Sequence, residues 1–178
     1  MSPLELLPWL LLAQAVVGGF DTLFNHELLA GLPHRPDAHA EIGLHTVREG
    51  IYAMLFGGLA WLAWQGAAAW LIAALVAGEM IVTARDELEE NRIRVLPQNE
   101  RVVHVLLTLN LGLIIAVLVP VLRLWHAQPT GVQPTGFGAL SWILTAFALA
   151  SLAWSIRDFR AWRRLRRAAG LIAVPRAA

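Results

Sequence analysis

Five times along this chain, an apolar run close to the length of a bilayer crossing gives way to a polar or charged stretch. A helix needs about 20 apolar residues to cross the hydrocarbon core. Only elements that satisfy their own backbone hydrogen bonds survive there. The runs cover residues 3–20, 50–64 (with a polar start reaching back to Glu41), 67–84, 102–122 and 137–156. The expected fold is therefore all-α: one integral membrane bundle of about five transmembrane helices over residues 1–178, with a basic tail from about residue 157. Composition agrees. Of 178 residues 57% are hydrophobic and 15% charged, where a soluble domain averages about 25% charged; mean hydropathy is +0.58.

The first run has no basic segment before it, carries Glu5, and lacks a small-x-small cleavage pattern, so it reads as a retained helix rather than a signal peptide. With no cysteine in the chain, disulfides, iron–sulfur clusters and thiol chemistry are excluded. Two polar stretches, 21–48 and 85–101, and the tail Arg157-Asp158-Phe159-Arg160-Ala161-Trp162-Arg163-Arg164-Leu165-Arg166-Arg167 fall on one side of a five-span bundle. The uncharged loop 125–136 falls on the other. Of the 14 basic residues, all of them Arg, only Arg123 lies opposite. The positive-inside rule then places the N-terminus outside and the C-terminus in the cytoplasm of a bacterial inner membrane. Trp61, Trp64, Trp70 and Trp125 fall near the outer interface, where aromatic residues gather. The tail is a topology signal that could also meet anionic headgroups. No groove-reading module points to nucleic acid, and a homo-oligomer stays open.

The ionisable residues are sorted by helical face. At about 100° per residue, Glu41, His45, Arg48, Glu49 and Tyr52 share a stripe, opposite Ile42, Leu44, Val47 and Ile51. Glu79, Thr83, Asp86 and Glu90 form another at spacings of four, seven and eleven. Glu79 lies six residues, or about 9 Å, deeper than Arg85. A charge at such depth is costly and needs an interior partner. The first helix offers Gln14, Asp21 and Asn25, followed by His26-Glu27; the fourth begins Glu100-Arg101-Val102-Val103-His104. Four helix ends carrying such stripes converge on the cytoplasmic side.

Several imidazoles and carboxylates on facing helices are the ligand inventory of a di-metal carboxylate centre. Two divalent cations bring roughly +4 charge and let clustered acids stay ionised. Imidazole with carboxylate suits iron first, with zinc or manganese as alternatives. The expected ligands are His45, Glu49, Glu79, Glu90 and His104, completed or supported by Asp21, Glu41 and Asp86. Arg48 and Tyr52 orient carboxylates or handle protons, and count as the catalytic candidates. A metal-free latch, in which the acids pair with Arg48, Arg92, Arg94 and Arg101, is the competing reading. A haem between His45 and His104 is a further one, disfavoured by the acids on the same stripes. His34 and His39 read as loop residues, and His126 belongs to the opposite face.

The stretches Glu41-x-x-x-His45-x-x-Arg48-Glu49, Asp86-x-x-Glu89-Glu90-x-x-Arg94 and Leu96-Pro97-x-x-Glu100-Arg101-x-x-His104 resemble an uncharacterised bacterial integral-membrane domain family. In ligand inventory, residues 21–104 are also similar to ferritin-like di-iron bundles. They depart from those in spacing, with Glu-x-x-x-His in place of paired Glu-x-x-His. Six His are too few for the histidine-box desaturases. A Gly-rich phosphate loop, a nucleophile elbow and a His-Glu-x-x-His motif are all absent from the sequence. The functional expectation is a di-metal, di-iron oxidoreductase acting on a lipid-soluble substrate at the cytoplasmic face. A zinc-dependent lipid hydrolase, a metal carrier and a docking subunit are the alternatives.

Overall fold

The computed structural model describes residues 2–173, with side chains through Gly170. Arg176, counted above on the cytoplasmic side, lies outside the described residues. Five α-helices form the bundle: α1 (Pro3–Phe20), α2 (His39–Trp61), α3 (Ala69–Ile93), α4 (Gln98–His126) and α5 (Ala139–Ala173). Four helical segments, Pro3–Leu29, Gly66–Ile93, Gln98–His126 and Ala139–Gly170, are long and apolar enough to cross a membrane. The fifth helix of the bundle, α2, carries the charged stripe.

The start of α1 is set locally. Ser2 Oγ accepts from the Glu5 amide while Glu5 Oε2 accepts from the Ser2 amide, a reciprocal cap, and Pro3 takes the first helical position. Leu7, Leu11, Leu55, Leu59, Ile72, Ile114, Leu118 and Leu144 meet in the bundle centre. The outward face of α4 is also apolar, with Val102, Val105, Leu106, Leu109 and Leu113 all exposed. A helix apolar all round needs either a protein shell or lipid about it.

Helices α2 and α5 make the longest contact. Ser155 Oγ donates to the Thr46 carbonyl at 2.8 Å, Trp61 Nε1 to Thr145 Oγ1 at 2.8 Å, and Ser141 Oγ to the Ala60 carbonyl at 2.7 Å. The basic segment from residue 157 is not a free tail. It continues α5, where Ala161 and Leu165 pack on Leu32, Ala38 and Ile42, and Arg164 donates to the Pro33 carbonyl. Helix α1 lies against α4, tied by Asn110 Nδ2 donating to the Leu10 carbonyl and to Gln14 Oε1.

Three segments expected as loops are structured. Residues Asp21–Leu29 continue α1 as a π-helix, α3 runs on through its charged end to Ile93, and Gly131–Pro134 forms a strand, β2. Its partner is β1 (Leu62–Gln65), just before Gly66 turns the chain toward α3; the two pair antiparallel, Leu62 opposite Pro134 and Gln65 opposite Gly131. The ribbon ties the α2–α3 and α4–α5 connections together at the end opposite the acids. His126 Nδ1 meets the Gly66 carbonyl there at 3.1 Å.

Gly66 has φ +56°, and a Cβ on it would fall 2.5 Å from the Thr130 Cα. Gly66→Ala should combine left-handed strain of roughly 1–2 kcal/mol with about 1–3 kcal/mol of overpacking. The expected result is a clearly lower melting temperature in detergent. Gly131→Ala, whose added Cβ meets nothing within 4 Å, is the control.

Candidate metal centre

The π-helix after α1 decides the first part of the site. In an α-helix, residues five apart point about 140° away from each other. Hydrogen bonding of the i→i+5 type brings them toward one face. Asp21 and His26 thus both turn inward, with His26 Nε2 3.5 Å from Asp21 Oδ2. Asn25 Nδ2 donates to Asp21 Oδ1 at 2.7 Å and accepts from Asn99 through its own oxygen, fixing the aspartate.

From α2 come Glu41 and His45, one turn apart; from α3 come Asp86 and Glu90, again one turn apart; from α4 come Glu100 and His104. All are buried except His104, which is partly so. His26 Nδ1 lies 3.2 Å from His45 Nδ1. His45 Nε2 is 3.2 Å from Asp86 Oδ2; His26 Nε2 is 3.2 Å from Glu100 Oε1. His104 spans two acids, with Nε2 3.3 Å from Asp21 Oδ2 and Nδ1 3.3 Å from Glu90 Oε2.

These separations are close, yet among the described residues Nε2 of His26, His45 and His104 makes no hydrogen bond, nor do Glu90 Oε2, Asp86 Oδ1 or Glu41 Oε2. Buried polar atoms are ordinarily paired. Two ligand atoms held 2.0–2.1 Å from one ion at a near-tetrahedral angle are about 3.3 Å apart. The atoms therefore sit where ligands converging on shared points would sit. Four groups meet this condition among the described residues, each with its ligand atoms within 4.8 Å of one another: Asp21, His26, His104; His26, Glu41, His45; His45, Asp86, Glu90; and Glu87, Glu90, His104. They share the three imidazoles and Glu90, so they form one continuous cluster large enough for more than one ion.

Charge points the same way. Eight buried carboxyls lie at this end of the bundle, of Asp21, Glu41, Glu49, Glu79, Asp86, Glu90, Glu100 and Asp158, the last paired with its neighbour Arg157. Two arginines reach into them. Arg48 Nη1 donates to Asp86 Oδ2 at 2.7 Å, and its Nε lies 3.3 Å from Glu79 Oε1. Arg94 bridges Glu41 at 2.9 Å and Glu100 at 2.6 Å. Burial works against the Arg94 charge, but hydrogen bonds to Glu100 and Glu41 more than offset it and hold its pKa above the ordinary arginine value. The buried acids outnumber the arginines that reach them, an imbalance that divalent cations would offset.

Of the expected ligands, Asp21, Glu41, His45, Asp86, Glu90 and His104 fall in these groups. Glu49 and Glu79 do not. Glu79 is turned by depth toward Arg48 and accepts from Thr83 Oγ1 at 3.1 Å. Glu49 sits a turn beyond His45, off the ligand groups, with both oxygens unpartnered. Tyr52 lies deeper still, accepting from Gln14 Nε2 at 2.8 Å. Missing from the expected ligand set were His26, hidden by the change from α- to π-helix, and Glu100 with its clasp Arg94. The visible signals were the place of His26 just after the Asp21–Asn25 stripe, the Glu100-x-x-x-His104 spacing, and Arg94 among the arginines of the metal-free latch. His34 is exposed and His39 bonds the Pro36 carbonyl, both away from the cluster.

A cavity of about 240 Å³ opens beside the cluster. Its polar end is lined by His45, Asp86, Glu90 and His104, and its deep end by Phe56, Leu111 and Phe147. No family model, curated protein or solved structure matches this chain.

Proposed function

We propose that this protein is a membrane-embedded di-metal oxidoreductase, with iron as the metal and dioxygen as the oxidant, acting on a lipid-soluble substrate. The observation that carries the reading is the set of imidazole Nε2 atoms of His26, His45 and His104, 3.2–3.3 Å from carboxylate oxygens yet without a hydrogen-bond partner among the described residues, next to a cavity that turns apolar. Asp21, His26 and His104 hold one ion, and His45, Asp86 and Glu90 the other. Glu41 and Glu100 close the cluster under the Arg94 clasp. Arg48 fixes Asp86 and Glu79 and so sets the orientation of the second group. Iron supplies dioxygen binding and one-electron steps; a two-electron donor of the cell completes the balance. The chain's own residues exclude water, position the substrate and hold the carboxylates.

In this reading α2 is the fifth span, the N-terminus is outside, and the site opens at the cytoplasmic face of a bacterial inner membrane. The Arg asymmetry supports that orientation. The two arginine clasps give the metal-free latch a specific observation of its own, since Glu41, Glu79 and Glu100 are each ion-paired. Metal analysis separates the readings. Protein purified without chelator should carry close to two iron ions per chain and consume dioxygen when reduced. Colourless zinc would point to a hydrolase. Metal-free protein would leave the latch and a docking role.

A further inference from the structure

Glu49 differs from every other acid of the cluster. It is 9% exposed, and neither of its oxygens has a hydrogen-bond partner among the described residues. It belongs to none of the ligand groups. Arg48 turns to Glu79 and Asp86, and Arg157 is engaged by Glu27 and Asp158. A buried carboxyl without a partner is costly, and the cost is relieved when an entering group supplies the missing hydrogen bond. Glu49 lines the cavity, one turn or about 6 Å along α2 from His45.

Trp154 of α5 lines the same cavity, and its Nε1, which can only donate, also lacks a partner. The Arg157 guanidinium sits over the ring at 4.8 Å. The wall thus presents one free acceptor and one free donor beside the metal groups. The cavity follows α2 for about 16 Å, from His45 to Phe56, about 10 Å of it beyond Glu49. Gly18, Gly19, Ala150 and Ser151 line its α1–α5 side. A Cβ on Gly19 would meet nothing within 4 Å, and Ala150 is exposed. The α3 side of the mouth carries the charged Glu87 instead.

We infer, resting on the oxidoreductase reading, that the substrate is a neutral amphipath whose hydroxyl head is held by Glu49 and Trp154 and whose alkyl tail leaves between α1 and α5 into the bilayer. A hydroxyl donates to the carboxylate and accepts from the indole, matching both free atoms. A carboxylate head would have to bury its own charge beside the unpartnered Glu49 carboxyl. An ammonium satisfies Glu49 and leaves Trp154 unmatched. Sites that pair a buried hydroxyl discriminate strongly against heads that cannot complete the pairing.

The test uses the full chain in phosphatidylcholine nanodiscs, titrated with 1-dodecanol, dodecanoate or dodecylamine, reading melting temperature and metal content on the same samples. A ligand bound only by the folded protein raises the melting temperature saturably. Dodecanol should half-saturate at a concentration at least tenfold lower than either charged analogue. Glu49→Gln and Trp154→Phe should each weaken dodecanol at least tenfold and leave metal content unchanged. Gly19→Trp, which fills the tail exit, should remove the response to all three. Should Glu49→Gln fail to fold, the other two variants carry the test. Equal shifts for the three amphipaths, or no shift with any, would overturn the inference, as would metal loss in Glu49→Gln, which returns Glu49 to the ligand set. Metal-free protein that still prefers dodecanol would overturn the oxidoreductase reading and leave the recognition standing.

Discussion

Replacing His26 with alanine is expected to strip most of the bound metal while the protein stays folded. His26 belongs to two of the ligand groups, one with Asp21 and His104 and one with Glu41 and His45. Loss of an outer partner costs a metal site roughly 10–100-fold in affinity; losing a shared ligand should exceed that. Ions per chain after dialysis are the readout, with His126→Ala, at the ribbon end beside Gly66, as the control. In chelator, His26→Ala should melt modestly below the wild type, by the packing of one buried imidazole and its 3.2 Å contact with His45 Nδ1. Wild-type metal content in the variant would remove His26 from the ligand set.

Arg94→Met carries the largest expected stability effect. Its side chain is 9% exposed and clasps Glu41 of α2 to Glu100 of α4. Removing it leaves two buried carboxylates without their cation. Breaking one side of a buried ion pair costs about 3–5 kcal/mol. At about 2–4 °C per kcal/mol for a chain of this size, the melting temperature should fall by roughly 6–20 °C. The fall should appear with and without chelator, since the clasp is electrostatic whether or not ions are bound. Arg94→Lys should recover only part of it, because an ammonium cannot reproduce the two-pronged contact with Glu100 made through both terminal nitrogens. Equal melting of Arg94→Met and wild type would mean the clasp contributes nothing to the closed cluster.

Glu41 with His45, Asp86 with Glu90 and Glu100 with His104 were all legible as one-turn pairs, because spacing along one helix needs no neighbour to be read. Asp21 was legible by its stripe with Gln14 and Asn25. His26 was legible only as the neighbour of that stripe, since five-residue spacing points away in an α-helix and inward only in a π-helix. Glu79 was legible as a buried acid, but its partner was not: only the approach of α2 to α3 brings Arg48 within 3.3 Å. The strands at Leu62–Gln65 and Gly131–Pro134 were also hidden, because each is four residues long and pairs only across the bundle end.

By itself the sequence determined the apolar helices, their lengths and the gathering of ionisable residues toward one end. Run length and the 100° step are properties of a single helix and survive without tertiary information. Only the tertiary structure decided which acids face imidazole and which face arginine. That choice depends on how each helix is rotated about its axis and how deep it sits. A rotation of one residue would carry Arg48 away from Asp86 and Glu79 while leaving the hydropathy pattern unchanged.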